Sequence, residues 1–182
     1  IATSLDGFIA DHQGRVDWLE LANLDGEDYG YQAFADDTDV LVMGRNSFET
    51  VMGFGQWPYS DKPVIVMSRS LVQLPNGTPA SVTLSQLTLA DLMLELQHKG
   101  FQHAYIDGGR LIQSFLAEDL LDELIVTTLP VTLGQGSPLF SPASVPLLQR
   151  WSLQGCQTYS NGVVQRHYCK LTAGQGNTAA TH

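Results

Sequence analysis

The sequence predicts an α/β fold: a central, mostly parallel sheet flanked by helices, with an antiparallel hairpin at the C-terminal end. Three observations carry this reading. Short apolar runs recur at Val40–Met43, Val64–Met67, Ala104–Ile106 and Leu124–Thr127, each soon followed by Gly, Ser or Pro. Runs without polar alternation suit strands covered on both faces, as in a parallel sheet. Helical patterns stand between them, and alternation of strand with helix is the mark of an α/β layer fold. Last, two strand-like runs between Trp151 and Leu171 flank Asn161-Gly162, a strong short-range hairpin signal.

The elements follow in order. Ile1-Ala2-Thr3 reads as strand, and with no initiating Met the chain is expected to begin inside an element. A weaker helix is expected over about residues 27–37, interrupted by Gly30. Leu89, Leu92, Met93 and Leu96 follow helical spacing, with Thr88 and Asp91 as a capping-box-like start and Gly100 as a stop. Leu111, Ile112, Phe115 and Leu116 mark a further helix just after Gly108-Gly109. A two-residue turn at Asn161-Gly162 sets Ser160 opposite Val163 and Cys156 opposite His167. Residues 1–171 read as one domain. Residues 172–182, rich in Gly, Ala, Thr and Asn and without apolar period, read as a flexible C-terminal tail.

Composition narrows the function classes. The 182 residues carry 19 acids against 9 bases, a formal net charge of −10. Such a surface is repelled by phosphate backbones and anionic lipid, so neither a nucleic-acid nor a membrane partner is expected. The aliphatic runs are far short of the roughly 20 apolar residues a spanning helix needs, and no charged-then-apolar leader is read at the start. The expected setting is cytoplasmic. Two cysteines, Cys156 and Cys169, are too few for a disulfide scaffold. The five histidines are scattered, with no Cys or carboxylate recognised at ligand spacing, so no metal site is expected. No G-x-S-x-G elbow supports nucleophilic hydrolysis.

The sharpest clue is where the cations stand. Three of the nine follow directly on strand ends: Arg45 in Gly44-Arg45-Asn46-Ser47, Arg69 in Ser68-Arg69-Ser70, and Arg110 in Gly108-Gly109-Arg110-Leu111-Ile112. In open α/β sheets ligands bind outside the carboxyl ends of the strands. Gly admits close backbone approach, a helix start directs N–H groups at an anion, and Arg recognises phosphate bidentately. Three such ends in an acidic chain point to a ligand with several phosphates, such as a dinucleotide. Ser68-Arg69-Ser70 suits a 2′-phosphate, which favours NADPH over NADH. Neither a GxGxxG after a first strand nor a Walker loop is present.

At these residues the sequence resembles the dihydrofolate-reductase-like superfamily. The resemblance rests on Ser4-Leu5-Asp6-Gly7-Phe8-Ile9-Ala10, Val42-Met43-Gly44-Arg45-Asn46-Ser47-Phe48-Glu49, Val66-Met67-Ser68-Arg69 and the block from Ile106 to Leu116. Leu121-Asp122-Glu123-Leu124 and the run Pro130 to Phe140 are more discriminating. They look like the reductase domain of the bifunctional riboflavin-biosynthesis deaminase/reductase and its stand-alone relatives. The resemblance implies a single-domain dihydrofolate-reductase-like fold that binds NADPH, with a homodimer as the expected assembly. Gly44, Arg45, Asn46 and Ser47 would open a helix onto the pyrophosphate. Ser68, Arg69 and Ser70 would hold the adenosine ribose and its 2′-phosphate. Gly108 and Gly109 would lie near the phosphates and nicotinamide, with Arg110, Leu111 and Ile112 starting the next helix, and Ala2 and Ile9 would flank the nicotinamide.

For the substrate side, the family spacing counted back from Gly44 lands on Asp28, with Glu27 and Asp25 as competitors in an acid-rich stretch. Trp18 and Thr127 fall where the folate enzymes carry a loop Trp and a pteridine-facing Thr. The loop Phe54-Gly55-Gln56-Trp57-Pro58 departs from the folate enzymes, and no Arg outside the three strand ends has the context of the folate-tail arginine. The expected activity is therefore hydride transfer from NADPH to a pyrimidine- or pteridine-like heterocycle, most like 5-amino-6-(5-phosphoribosylamino)uracil reductase. The alternatives are a dihydrofolate reductase proper and a catalytically idle dinucleotide-binding protein. No deaminase zinc motif is present.

Overall fold

The apolar runs all become strands. In chain order the strands are β1 (Ala2–Thr3), β2 (Phe8–Asp11), β3 (Val40–Gly44), β4 (Val64–Met67) and β5 (Val82–Ser85). They continue with β6 (Ala104–Asp107), β7 (Glu123–Thr128), β8 (Gly136–Pro138), β9 (Trp151–Thr158) and β10 (Val164–Lys170). The helices are α1 (Tyr31–Asp37), α2 (Arg45–Met52), α3 (Leu89–His98) and α4 (Gly109–Ala117). The computed structural model describes residues 1–142, 144–145 and 148–171. The expected C-terminal tail, 172–182, lies outside the described residues. The chain divides into two compact units, Gly30–Ile112 and Ile1–Tyr29 with Gln113 onward.

In the Gly30–Ile112 unit, four strands pair in the order β5-β4-β3-β6, all parallel. Val40, Val42, Met43, Val64 and Val66 have no exposed surface, and Leu41 and Ile65 almost none. Burial on both faces explains why these strands show no polar alternation. Leu41, Met43, Val64, Val66 and Val82 gather with Phe48 of α2 into one apolar cluster. Helix α3 begins where the sequence places it: the Thr88 hydroxyl accepts from the Asp91 amide and donates to its carboxylate at 2.7 Å. Helix α1 is shorter than expected. Gly30 stands at its N-cap with φ +74°, a left-handed conformation through which a helix cannot run, so 27–29 stay outside it.

In the other unit, β1 pairs parallel with β7, and β7, β10 and β9 pair antiparallel in that order. The C-terminal hairpin is present, but its register is one residue from expectation. Thr158 pairs with Val164 and Cys156 with Arg166, not with His167. A turn bonded from Gly162 N–H to Tyr159 C=O leaves three residues in the loop, and only Gly162 has positive φ. The two-residue turn expected at Asn-Gly requires positive φ at both residues; a three-residue loop with glycine left-handed is the alternative taken here.

The motifs Ser4-Leu5-Asp6-Gly7 and Leu133-Gly134 meet in this unit. The Asp6 carboxylate accepts from the Ser4 hydroxyl at 2.6 Å and from the amides of Leu133 and Gly134. The Ser4 bond, joined by those amides, holds Asp6 below the usual carboxylate range. Two residues on, β8 packs so tightly on β2 that a Cβ at Gly136 would lie 2.1 Å from the Ala10 carbonyl. The fold class is thus α/β as read from sequence, a parallel sheet flanked by helices together with an antiparallel hairpin.

Candidate functional site

Strand register brings the three arginine-bearing ends side by side. Gly44 of β3 is level with Met67 of β4, and Met43 is level with Asp107 of β6. The carboxyl ends of three adjacent parallel strands therefore form one edge, and Arg45, Arg69 and Arg110 follow on it, all exposed. This is where α/β sheets bind ligands. Helix α2 starts at this edge without a side-chain cap: Gly44 is extended and offers no side chain to the first amides. Those N–H groups and the positive end of the helix dipole are suited to an anion. In the Ser68-Arg69-Ser70 turn, the two hydroxyls stand 3.4 Å apart, and Ser68 Oγ accepts from the Leu71 amide.

Gly108 is required here on two grounds. Its φ is +98°, and a Cβ would lie 2.5 Å from Ser47 Oγ and 3.7 Å from the Gly44 nitrogen. The loops after β3 and β6 are thus in backbone-level contact. Leu111 and Ile112 stand on the first turn of α4, Ile112 buried and Leu111 beside Gly44. Every cofactor residue expected between Gly44 and Ile112 is brought to this edge.

Asp107, which the sequence reading passed over, lies directly below. Burial pushes its carboxyl above the ordinary range, against the bonds it receives from Tyr105 (3.3 Å) and Ser47. An acid at a strand end just before Gly-Gly is the signal that marks it. The sign of its effect on stability follows. The folded state holds this proton to higher pH than the unfolded chain, so stability declines as pH rises from the unfolded value through the raised one. Asp107→Asn keeps an oxygen for Ser47 and Tyr105 and removes the decline. The gap in melting temperature between variant and wild type should therefore widen in the variant's favour as pH rises, then level off; thermal scans across pH 4–8 check it.

The remaining candidates lie in the other unit. Ala2 pairs with Thr127, and Gln165 pairs with Thr127 from the opposite strand. The Gln165 amide donates to Thr127 Oγ1 and to the Tyr29 carbonyl, each at 3.0 Å. The Tyr29 hydroxyl donates to the Ala22 carbonyl and accepts from Asn161 at 2.7 Å, which ties 22–29 to the hairpin tip. Of the competing acids, Asp25 and Asp28 are exposed, while Glu27 accepts from the Tyr29 amide at 2.7 Å. Trp18 sits half-buried in a 3-10 turn over Asp17–Ala22, its indole N–H buried and without a partner among the described residues. Ile9 is half-buried on β2. Ala2 and Thr127 are brought together; Trp18 and Asp28 occupy the irregular segment before α1.

Tyr59 and Tyr105 line a groove of about 380 Å³ in the Gly30–Ile112 unit, with Tyr31, Gln32, Asp36 and Lys62 also on its walls. Burial, reinforced by Asp107, raises both hydroxyls far above the usual tyrosine range, so they stay protonated donors. Lys62 donates to the Thr38 carbonyl. Trp57 packs edge-on between Phe48 and Tyr59, and Tyr159 against Tyr29. Among the described residues, no helix is long and apolar enough to cross a membrane.

Comparison with known proteins adds to this geometry. A putative riboflavin biosynthesis protein from Shewanella sp. PV-4 superposes with a TM-score of 0.87 at 40% identity, covering 94% of this chain and 97% of that one. YwjB of Bacillus subtilis, an uncharacterized protein, is 33% identical over 178 residues, 93% of this chain and 95% of its own length. The Thermotoga maritima diaminohydroxyphosphoribosylaminopyrimidine deaminase/5-amino-6-(5-phosphoribosylamino)uracil reductase shares the fold at 14% identity, with a TM-score of 0.71. This chain covers 55% of that protein and 93% of itself is matched. The family profile described as RibD C-terminal domain matches residues 1–165. The chain belongs to the RibD C-terminal domain family.

Proposed function

We propose that the chain is an NADPH-dependent reductase acting on a phosphorylated aminopyrimidine of the riboflavin-pathway kind. The observation that carries this is the convergence of three arginine-bearing strand ends on one edge of a parallel sheet. The donor set fits the cofactor. The uncapped start of α2 with Arg45 suits the pyrophosphate, and Ser68, Arg69 and Ser70 offer a cation between two hydroxyls for the 2′-phosphate. Gly108, with no room for a Cβ, keeps the backbone open to a close-lying ligand. NADPH, when bound, supplies the hydride; the protein supplies placement and a dry pocket.

The aminopyrimidine substrate class is proposed on the family resemblance; the tyrosine-lined groove, walled by Thr38, Leu41, Lys62 and Pro63 at the amino ends of β3 and β4, lies away from the cofactor edge. Ala2 and Ile9 beside the nicotinamide, and Asp28, Thr127 and Trp18 on the substrate side, are proposed on the family resemblance. A cytoplasmic homodimer is proposed on the same ground.

The test is NADPH oxidation followed spectroscopically with 5-amino-6-(5-phosphoribosylamino)uracil and with dihydrofolate. Turnover of the pyrimidine, with dihydrofolate far slower, is expected. Preference for dihydrofolate would make this a dihydrofolate reductase. NADPH binding without turnover of either, or of related heterocycles, would favour an idle dinucleotide-binding protein.

A further inference from the structure

We propose that Glu123, His167 and Cys169 form a binding site for a borderline-soft divalent cation, zinc by preference, on the face shared by β7 and β10. The site is independent of the cofactor edge, and the expectation that no Cys or carboxylate stands at ligand spacing from a histidine fails at His167. Backbone geometry assembles the three donors. Antiparallel pairing sets Glu123 opposite Cys169, and His167, two residues earlier on β10, shares the face of Cys169. His167 Nε2 lies 2.9 Å from Glu123 Oε2 and 4.0 Å from Cys169 Sγ, and all three ligand atoms fall within 4.8 Å of one another. A zinc ion with bonds of about 2.0–2.3 Å in a tetrahedron holds its ligands roughly 3.4–3.6 Å apart. The two shorter separations straddle that span, so small side-chain rotations close the site.

The donor chemistry decides the metal class. Imidazole, thiolate and carboxylate together suit zinc, whereas calcium and magnesium take oxygen ligands. Half-exposure of His167 and Cys169 leaves a fourth position for water. An ion pair alone leaves the thiol unexplained: an exposed His–Glu pair contributes little and gains nothing from a sulfur 4.0 Å from its imidazole. A bound ion would pin β7 to β10, so metal binding is read as stability.

The experiment uses the full chain without a polyhistidine tag, stripped with chelator. Zinc is titrated by calorimetry and cobalt by absorption, with melting followed in parallel. Expected are one ion per chain, a rise in melting temperature with zinc but not magnesium or calcium, and a thiolate-to-cobalt charge-transfer band. Cys169→Ser should abolish the band, and Cys169→Ser or His167→Gln should weaken zinc at least about tenfold. Cys156→Ser, on β9 opposite Arg166, should change neither. The cobalt spectrum of the wild type reads the thiolate without relying on any variant's fold. Absence of saturable zinc binding, a cobalt spectrum without the band, or zinc binding undiminished in both Cys169→Ser and His167→Gln would overturn the proposal.

Discussion

Arg69→Ala should weaken NADPH by about 10- to 100-fold while leaving NADH within about twofold, since charge-assisted hydrogen bonds contribute about 1.5–3 kcal/mol each. The two cofactors differ only at the 2′-phosphate, so the ratio isolates one contact. Arg69 is exposed at the end of β4, outside the buried apolar cluster, so its loss should not disturb the fold. Arg45 has a partner in Glu49 at 3.7 Å, both side chains about half-exposed. Replacing it should weaken both cofactors together, because the pyrophosphate it is proposed to bind is common to both. Paired dissociation constants for wild type, Arg69→Ala and Arg45→Ala measure this. Equal losses of NADPH and NADH in Arg69→Ala would remove the 2′-phosphate assignment.

Gly108→Ala should act on both fold and binding. A non-glycine residue at φ +98° costs about 1–3 kcal/mol, and the new Cβ meets Ser47 Oγ at 2.5 Å. Ser47 cannot swing away freely, because it is bonded to the half-buried Asp107. The strain therefore passes to the start of α2, where the pyrophosphate is assigned. The expected result is a lower melting temperature together with at least about tenfold weaker NADPH and NADH alike. Gly155→Ala is the control: a Cβ there meets nothing within 4 Å, and its φ is ordinary. Denaturant titration and cofactor titration of the two variants separate stability from binding.

How much was legible in the sequence differs by element. β3 and β4 were visible because strands buried on both faces have no polar positions to break their apolar runs, and β6 and β7, though only partly buried, kept the runs Ala104–Ile106 and Leu124–Val126. α3 and α4 were visible through helical spacing and the Thr88–Asp91 cap. β2, β5 and β8 were not: they are partly exposed, and Asp, Thr, Ser or Gly interrupts any apolar run in so short a strand. The hairpin register slipped because Asn161-Gly162 fits two loop lengths, and only the φ of Asn161 chooses between them. At the site, the residues proposed for phosphate could be read because strand-end Gly, Ser and Arg are local signals. Asp107 offered only its place before Gly-Gly and the Glu123–His167–Cys169 group no local signal, because burial and cross-strand pairing create them.

The most direct test of the central reading is a side-by-side fluorescence titration of the wild-type chain with NADPH and NADH. One saturable NADPH site is expected, with NADH at least about tenfold weaker, the discrimination assigned to Ser68-Arg69-Ser70. Saturable binding of neither cofactor would contradict it, and with it the reading of the arginine-bearing edge as a dinucleotide site.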